Sequence, residues 1–324
     1  MARNSSVEIL NFSENATEVQ PESEHYSLGF HDYIILVYGL IALIPNSCLL
    51  YVIIKNKLQK RVSYLYVAAY AMSNILTGFA FICSAIRRFV ISTAPLYTLH
   101  PLQCMSQAFY VSIYQGCDIL GVAIPALISF DRFVAVTSHR IYSRMNLKTA
   151  WGFIGLVGII IAIDVVGCWV SAALIPEDVL IVATCVDVTY VMETFSYAHR
   201  ILLTILSYAS LGFYVGALLA ILCRPSTGNS VRAAQLKREA VITKRLSYLI
   251  ILTFFVQTMP LTIDFIELSD DVANVVVIVT FLADYLNMAT FVLIFSAINP
   301  ELRKGFLQLC CKKSAAVASE TTRR

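Results

Sequence analysis

Long apolar blocks, broken by short polar connections, leave this chain few ways to fold. Each block reaches the roughly 20 residues that a helix needs to cross a hydrocarbon layer. Lipid offers no partner for backbone N–H and C=O groups, so a spanning segment must satisfy them internally, as a helix does. The expectation is an all-α membrane protein. Composition agrees: of 324 residues, 58% are hydrophobic and 14% are charged, against about 25% charged in a soluble domain.

Counting blocks predicts seven spans, at about 31–54, 62–86, 104–136, 148–174, 196–223, 241–267 and 272–298. The chain then divides into a polar tail (1–28), a seven-helix bundle (29–298), a short amphipathic segment (299–311) and a flexible tail (312–324). No internal repeat is visible, whereas many transporter folds are built from one.

Charge sets the expected orientation. Lys55, Lys57, Lys60 and Arg61 form one basic cluster, Arg132, Arg140, Arg144 and Lys148 a second, and Arg224, Arg232, Lys237, Arg238, Lys244 and Arg245 a third. These fall in alternate connections, and the positive-inside rule assigns them and the C-terminus to the cytoplasm. Each cluster adjoins a span end, which argues against a nucleic-acid partner. The leader carries acids and three glycosylation sequons, at Asn4, Asn11 and Asn15, with no apolar stretch of signal-peptide type. Both signs place the N-terminus outside, at the plasma membrane. No metal-ligand spacing, catalytic triad or phosphate-cradling glycine loop is present, so neither an enzyme nor a cofactor is expected.

Ionisable groups inside spans are functional candidates, because they are costly there. Asp131-Arg132 stands where the third span meets a basic segment, a place where the Arg stem can snorkel and the acid can pair with it. Asp118 lies deeper in that span, Asp164 lies in the fourth with no evident partner, and Asp284 lies in the seventh. Read by chemistry alone, the Asp-Arg pair is equally a stop-transfer flank, and Asp118 and Asp284 are equally interhelical glue.

The segment Asp131-Arg-Phe-Val-Ala-Val136, followed by Tyr142 and Met145, closely resembles the third-helix end and second intracellular loop of rhodopsin-like G-protein-coupled receptors. Phe133 replaces the usual Tyr and His139 the usual Pro. Asn46 and Asn74, 28 residues apart, match the family's first-helix Asn and second-helix Asp. The amide at Asn74 implies loss of the family's sodium site. Phe254-Phe-Val-Gln-Thr-Met-Pro260 resembles the sixth-helix motif with its Trp replaced by Thr258, and Pro260 implies a kink that lets the helix swing. Asn299-Pro-Glu-Leu-Arg-Lys-Gly-Phe306 resembles the family's membrane-parallel eighth helix, with Cys310 and Cys311 as palmitoylation candidates. Its register puts Phe291 to Phe295 where Asn-Pro-x-x-Tyr usually stands, and Asn287 is a partial substitute. The retained Asp-Arg end beside these erosions is similar to nematode serpentine chemosensory receptors, particularly the Srsx-like group.

The resemblance implies a disulfide between Cys104 and Cys185, although the interval from Cys104 to Arg132 is nearly one helical turn longer than usual. It implies a ligand site lined by Tyr110, Tyr114, Gln115, Asp118, Leu261, Asp264, Phe281, Asp284 and Tyr285. It implies a switch through Asp131, Arg132, Phe254, Pro260, Asn46, Asn74 and Asn287. The partners would be a small extracellular molecule, a heterotrimeric G protein and membrane lipid. A neuropeptide receptor of the same fold and a small-solute carrier are the alternatives.

Overall fold

The computed structural model describes residues 28–93, 95, 97–185, 190–223, 254–263, 279, 287–288, 290–297 and 299–308. In chain order these form α1 (Phe30–Lys55), a 3-10 turn (Leu58–Lys60), α2 (Val62–Ser92), β1 (Thr98–Leu99), α3 (Pro101–Gln107), α4 (Tyr110–Thr137), α5 (His139–Tyr142), α6 (Leu147–Ala173), β2 (Ile181–Val182) and α7 (Glu193–Leu222). A π-helical turn (Phe254–Thr258) leads into the short helix Met259–Ile263, and 290–297 and 300–308 are helical. Among the described residues five helices, namely α1, α2, α4, α6 and α7, are long and apolar enough to cross a membrane. Among the described residues the chain is helical apart from one small ribbon and short connections, which fits an all-α membrane protein. Most of the sixth and seventh expected spans lies outside the described residues, as do the sequons at Asn4, Asn11 and Asn15, the tail cysteines Cys310 and Cys311, and Asp264, Phe281, Asp284 and Tyr285.

Backbone contact sets the α1–α2 crossing. A Cβ on Gly78 would lie 2.7 Å from the Gly39 carbonyl oxygen and 2.8 Å from the Leu43 nitrogen. Two glycines at one crossing let the helices meet closely, the usual device where lipid offers no hydrophobic drive for association. α4 then packs against α2, α6 and α7 at the centre. Leu49, Ile53, Tyr66 and Ile124 pack toward one end of the bundle with Phe291 and Leu302, while Met105, Tyr110, Val111 and Cys168 pack toward the other.

Two expected boundaries are corrected. α2 runs on to Ser92, so Arg87 and Arg88 are helical rather than part of a connection. The expected third span is two helices: α3 closes at Ala108, and α4 opens at Tyr110. His100 caps α3, accepting from Leu102 N–H at Nδ1, with Pro101 in the first turn, where its missing N–H costs nothing.

Candidate functional site

α4 carries polar groups at both ends of the bundle. At its C-terminal end Asp131 and Arg132 are 1% and 3% exposed. Consecutive helical residues point about 100° apart, so Arg132 must fold its stem back to reach the acid. Its Nε donates to Asp131 Oδ2 at 3.0 Å, and its Nη2 donates to the same oxygen and to the Tyr142 hydroxyl at 3.3 Å. Tyr142 stands in α5, immediately after the span, so the pair ties the helix end to the following connection. Ser129, one turn earlier, meets Ser210 of α7 at 3.1 Å.

Nearer the other end lies a three-helix polar knot. Gln115 Nε2 of α4 donates to Asp164 Oδ2 of α6 at 2.7 Å, and His199 Nδ1 of α7 stands 3.0 Å from that oxygen and 2.7 Å from Gln115 Nε2. Asp164 therefore has the partners that its sequence context hid. Among the described residues, His199 Nε2 is buried without a hydrogen-bond partner. The signal for His199 in the sequence was a lone histidine inside an apolar block, and the expected ligand site omitted it.

One turn deeper on α4, Asp118 is open, between buried Cys117 and Ile119. Its position follows from its neighbours. Cys117 reaches Ser73 of α2, and Gln115 reaches α6 and α7. Asp118 stands on the remaining face, with Tyr114 one turn away. Tyr114 packs on Phe81 of α2 at 5.1 Å between ring centres and edge-on to Tyr110 at 5.9 Å. Tyr110 itself is buried, and its hydroxyl donates to Thr184 O at 3.1 Å, so it anchors the α6–α7 connection.

That connection is fixed three ways. Cys104 and Cys185 form a disulfide with Cα atoms 5.8 Å apart. β1 and β2 pair antiparallel, Thr98 with Val182 and Leu99 with Ile181. Arg87 donates to Ala183 O through Nε at 3.0 Å and Nη2 at 2.9 Å. Burial pushes the Tyr190 hydroxyl pKa upward in the same connection. Beside it, Arg88 of α2 and Asp32 of α1 form a buried ion pair at 2.6 Å, which sequence reading missed because the two are 56 residues apart.

No protein-family model matches this chain, and no curated protein matches it in sequence.

Among the residues of the expected switch, Asn74 Nδ2 donates to Asn46 Oδ1 at 3.2 Å, and Asn46 Nδ2 donates to Ala42 O at 2.8 Å and Met288 O at 3.4 Å. Asn287, next to Met288, is buried, and its Oδ1 has no partner among the described residues. Phe254 packs edge-on to Tyr208 of α7, while the side chains of Pro260 and Leu261 lie outside the described residues. The 300–308 helix docks on the α1–α2 turn. Arg61 Nη1 donates to Glu301 at 2.8 Å, and the Tyr64 hydroxyl donates to Asn299 Oδ1 at 2.8 Å. The Glu301 carboxylate, by hydrogen bond and charge, raises the Arg61 pKa further.

Proposed function

We propose that this chain is a seven-helix G-protein-coupled receptor that binds a small extracellular chemical, of odorant or pheromone type, and activates a heterotrimeric G protein. The observation that carries the reading is the buried Asp131–Arg132 pair tied to the Tyr142 hydroxyl. A stop-transfer flank needs only charges at an interface. A pair withdrawn from solvent and braced against the following connection is what a latch needs. In this reading the undescribed stretch supplies two more spans and the 300–308 helix lies along the inner leaflet. The leader is glycosylated outside the plasma membrane, and Cys310 and Cys311 take lipid.

Ligand binding then shifts an existing equilibrium between two bundle arrangements. The sixth helix pivots near Pro260, Arg132 leaves Asp131, and the opened cleft accepts a G-protein segment. The amide pair Asn46–Asn74 supports helix association without the charge that a sodium ion requires.

The test is guanine-nucleotide exchange on co-expressed G proteins across a panel of odorants, pheromones and peptides. Ligand-driven exchange that disappears in Arg132→Ala supports the reading. Exchange unchanged in that variant sinks the latch. Solute flux into liposomes holding the protein alone favours a carrier, and a response confined to the peptides moves the assignment to a neuropeptide receptor.

A further inference from the structure

Three acids inside the long apolar helices have a basic partner. Asp32 pairs with Arg88, Asp131 with Arg132, and Asp164 with His199. Asp118 is different: among the described residues it makes no hydrogen bond and no ion pair. The charged groups within electrostatic reach of it are His199 and Asp164, which already hold each other. Arg200, although next to His199 on α7, is not among them. The rest of the chain offers little help. Residues 246 to 302 contain no Lys, Arg or His, while Asp264 and Asp284 add further acid.

A carboxylate this far inside an apolar bundle is expensive to keep, and its short stem cannot reach the interface as an Arg or Lys stem can. Its side chain is exposed in the structure. Directly above it stand Tyr114 and, against that ring, Phe81 and Tyr110. Aromatic rings present a negative face that attracts an ammonium group. One unmatched anion beside a cluster of tilted and edge-on aromatic rings is a setting that favours positive charge and disfavours negative charge.

We propose that the ligand of this site is a small organic cation, an amine or quaternary ammonium, whose charge is balanced by Asp118 and whose neighbouring carbons pack on Tyr114. The proposal rests on the receptor reading for its biological meaning, but not for its chemistry. Gln115, Asp164 and His199 form the polar wall beside the site and fix where α4 presents the acid.

The experiment uses the full chain in neutral phosphatidylcholine nanodiscs and reads thermal unfolding. The probes are 2-phenylethylamine, tetraethylammonium and the neutral isostere 2-phenylethanol, each at millimolar concentration. Expected is a rise in Tm of about 2–4 °C with at least one of the two cations and none with the alcohol. That rise disappears in Asp118→Asn. Without any probe, Asp118→Asn is expected to raise Tm, because it removes an unmatched charge; Asp32→Asn in the same membranes is expected to lower it. A lowered Tm for Asp118→Asn, an alcohol that stabilises as well as the amine, or no stabilisation by either cation overturns the proposal. The two readings fail separately. Cation binding without nucleotide exchange removes the receptor and leaves the site. Exchange driven by a neutral ligand in Asp118→Asn keeps the receptor and removes the site's charge preference.

Discussion

His199 of α7 and Asp164 of α6 meet at 3.0 Å inside the bundle, with the Gln115 amide of α4 closing the triangle. Asp164 is the acceptor on which both neighbours depend. Asp164→Leu is expected to remove the acceptor that the Gln115 amide and His199 ring share, leaving only their mutual contact, at about 1–3 kcal/mol. His199→Leu should cost less, because Gln115 still serves the acid. In the double variant the losses should fall short of their sum, and a double-mutant cycle on unfolding midpoints in mild detergent measures that coupling. Additive losses would mean that the triangle is a proximity and not a network.

Two ion pairs of similar length should differ widely in worth. Arg88–Asp32 spans 2.6 Å with side chains 5% and 2% exposed, whereas Arg61–Glu301 spans 2.8 Å at 57% and 45%. Removing one member of a buried pair strands a charge, at about 3–5 kcal/mol, while an exposed pair contributes roughly 0–1 kcal/mol. Arg88→Ala should therefore lower Tm sharply, and Glu301→Ala should barely move it. Added salt should weaken the second pair and leave the first.

Much of this architecture was legible in the sequence, for one reason: lipid forces apolar length and helical backbone together. Three of the five described spans fall within about three residues of the blocks that predict them, α2 runs six residues further and α4 opens six residues later, and the Asn46–Asn74 spacing brings the two amides into contact. What stayed hidden depends on side chains meeting across helices far apart in sequence. Asp32 gave no sign of Arg88, and Asp164 gave none of His199. The α3–α4 break was hidden for another reason: Ala108 and Phe109 are ordinary helix residues that carry no breaking signal. At the site itself, the sequence makes Tyr110 pocket lining, whereas the structure commits its hydroxyl to Thr184.

The disulfide closes a separation of 81 residues between α3 and the α6–α7 connection. Loss of such a link typically costs about 2–5 kcal/mol, largely by freeing the unfolded chain. Cys104→Ser with Cys185→Ser should lower Tm and make the β1–β2 ribbon accessible to protease, since only hydrogen bonds such as those of Arg87 and Tyr110 then hold the connection among the described residues. Limited proteolysis with mass mapping reads this directly. A cut pattern unchanged from the parent would show that the hydrogen bonds suffice.

Docking of the 300–308 helix has its own requirement. A Cβ on Gly305 would lie 2.5 Å from Val52 Cγ1 and 2.8 Å from Asn56 Nδ2, closer than real contacts allow. Gly305→Val should lift the helix off α1 and expose Leu302, which is fully buried against the core. In a Leu302→Cys background, maleimide labelling should be slow while Gly305 is kept. It should become several-fold faster once Gly305→Val is added. Equal labelling in both backgrounds would place the helix's anchorage in Arg61–Glu301 and Tyr64–Asn299 instead.

One substitution type should change sign along the chain. Alanine is favoured over glycine in a helix by about 1 kcal/mol, so Gly→Ala ordinarily stabilises where there is room. Gly152 of α6 has no atom within 4 Å of an added Cβ, and Gly152→Ala should raise stability by that order. Gly78 of α2 faces the Gly39 carbonyl at 2.7 Å, the Leu43 nitrogen at 2.8 Å and the Ala42 Cβ at 3.1 Å. These are mostly backbone atoms, which cannot rotate away as a side chain does. Gly78→Ala must push α1 from α2, and overpacking of this kind costs roughly 1–3 kcal/mol, more than propensity returns. Unfolding midpoints of the two variants, measured side by side, should move in opposite directions. A stabilised Gly78→Ala would mean that α1 and α2 cross elsewhere.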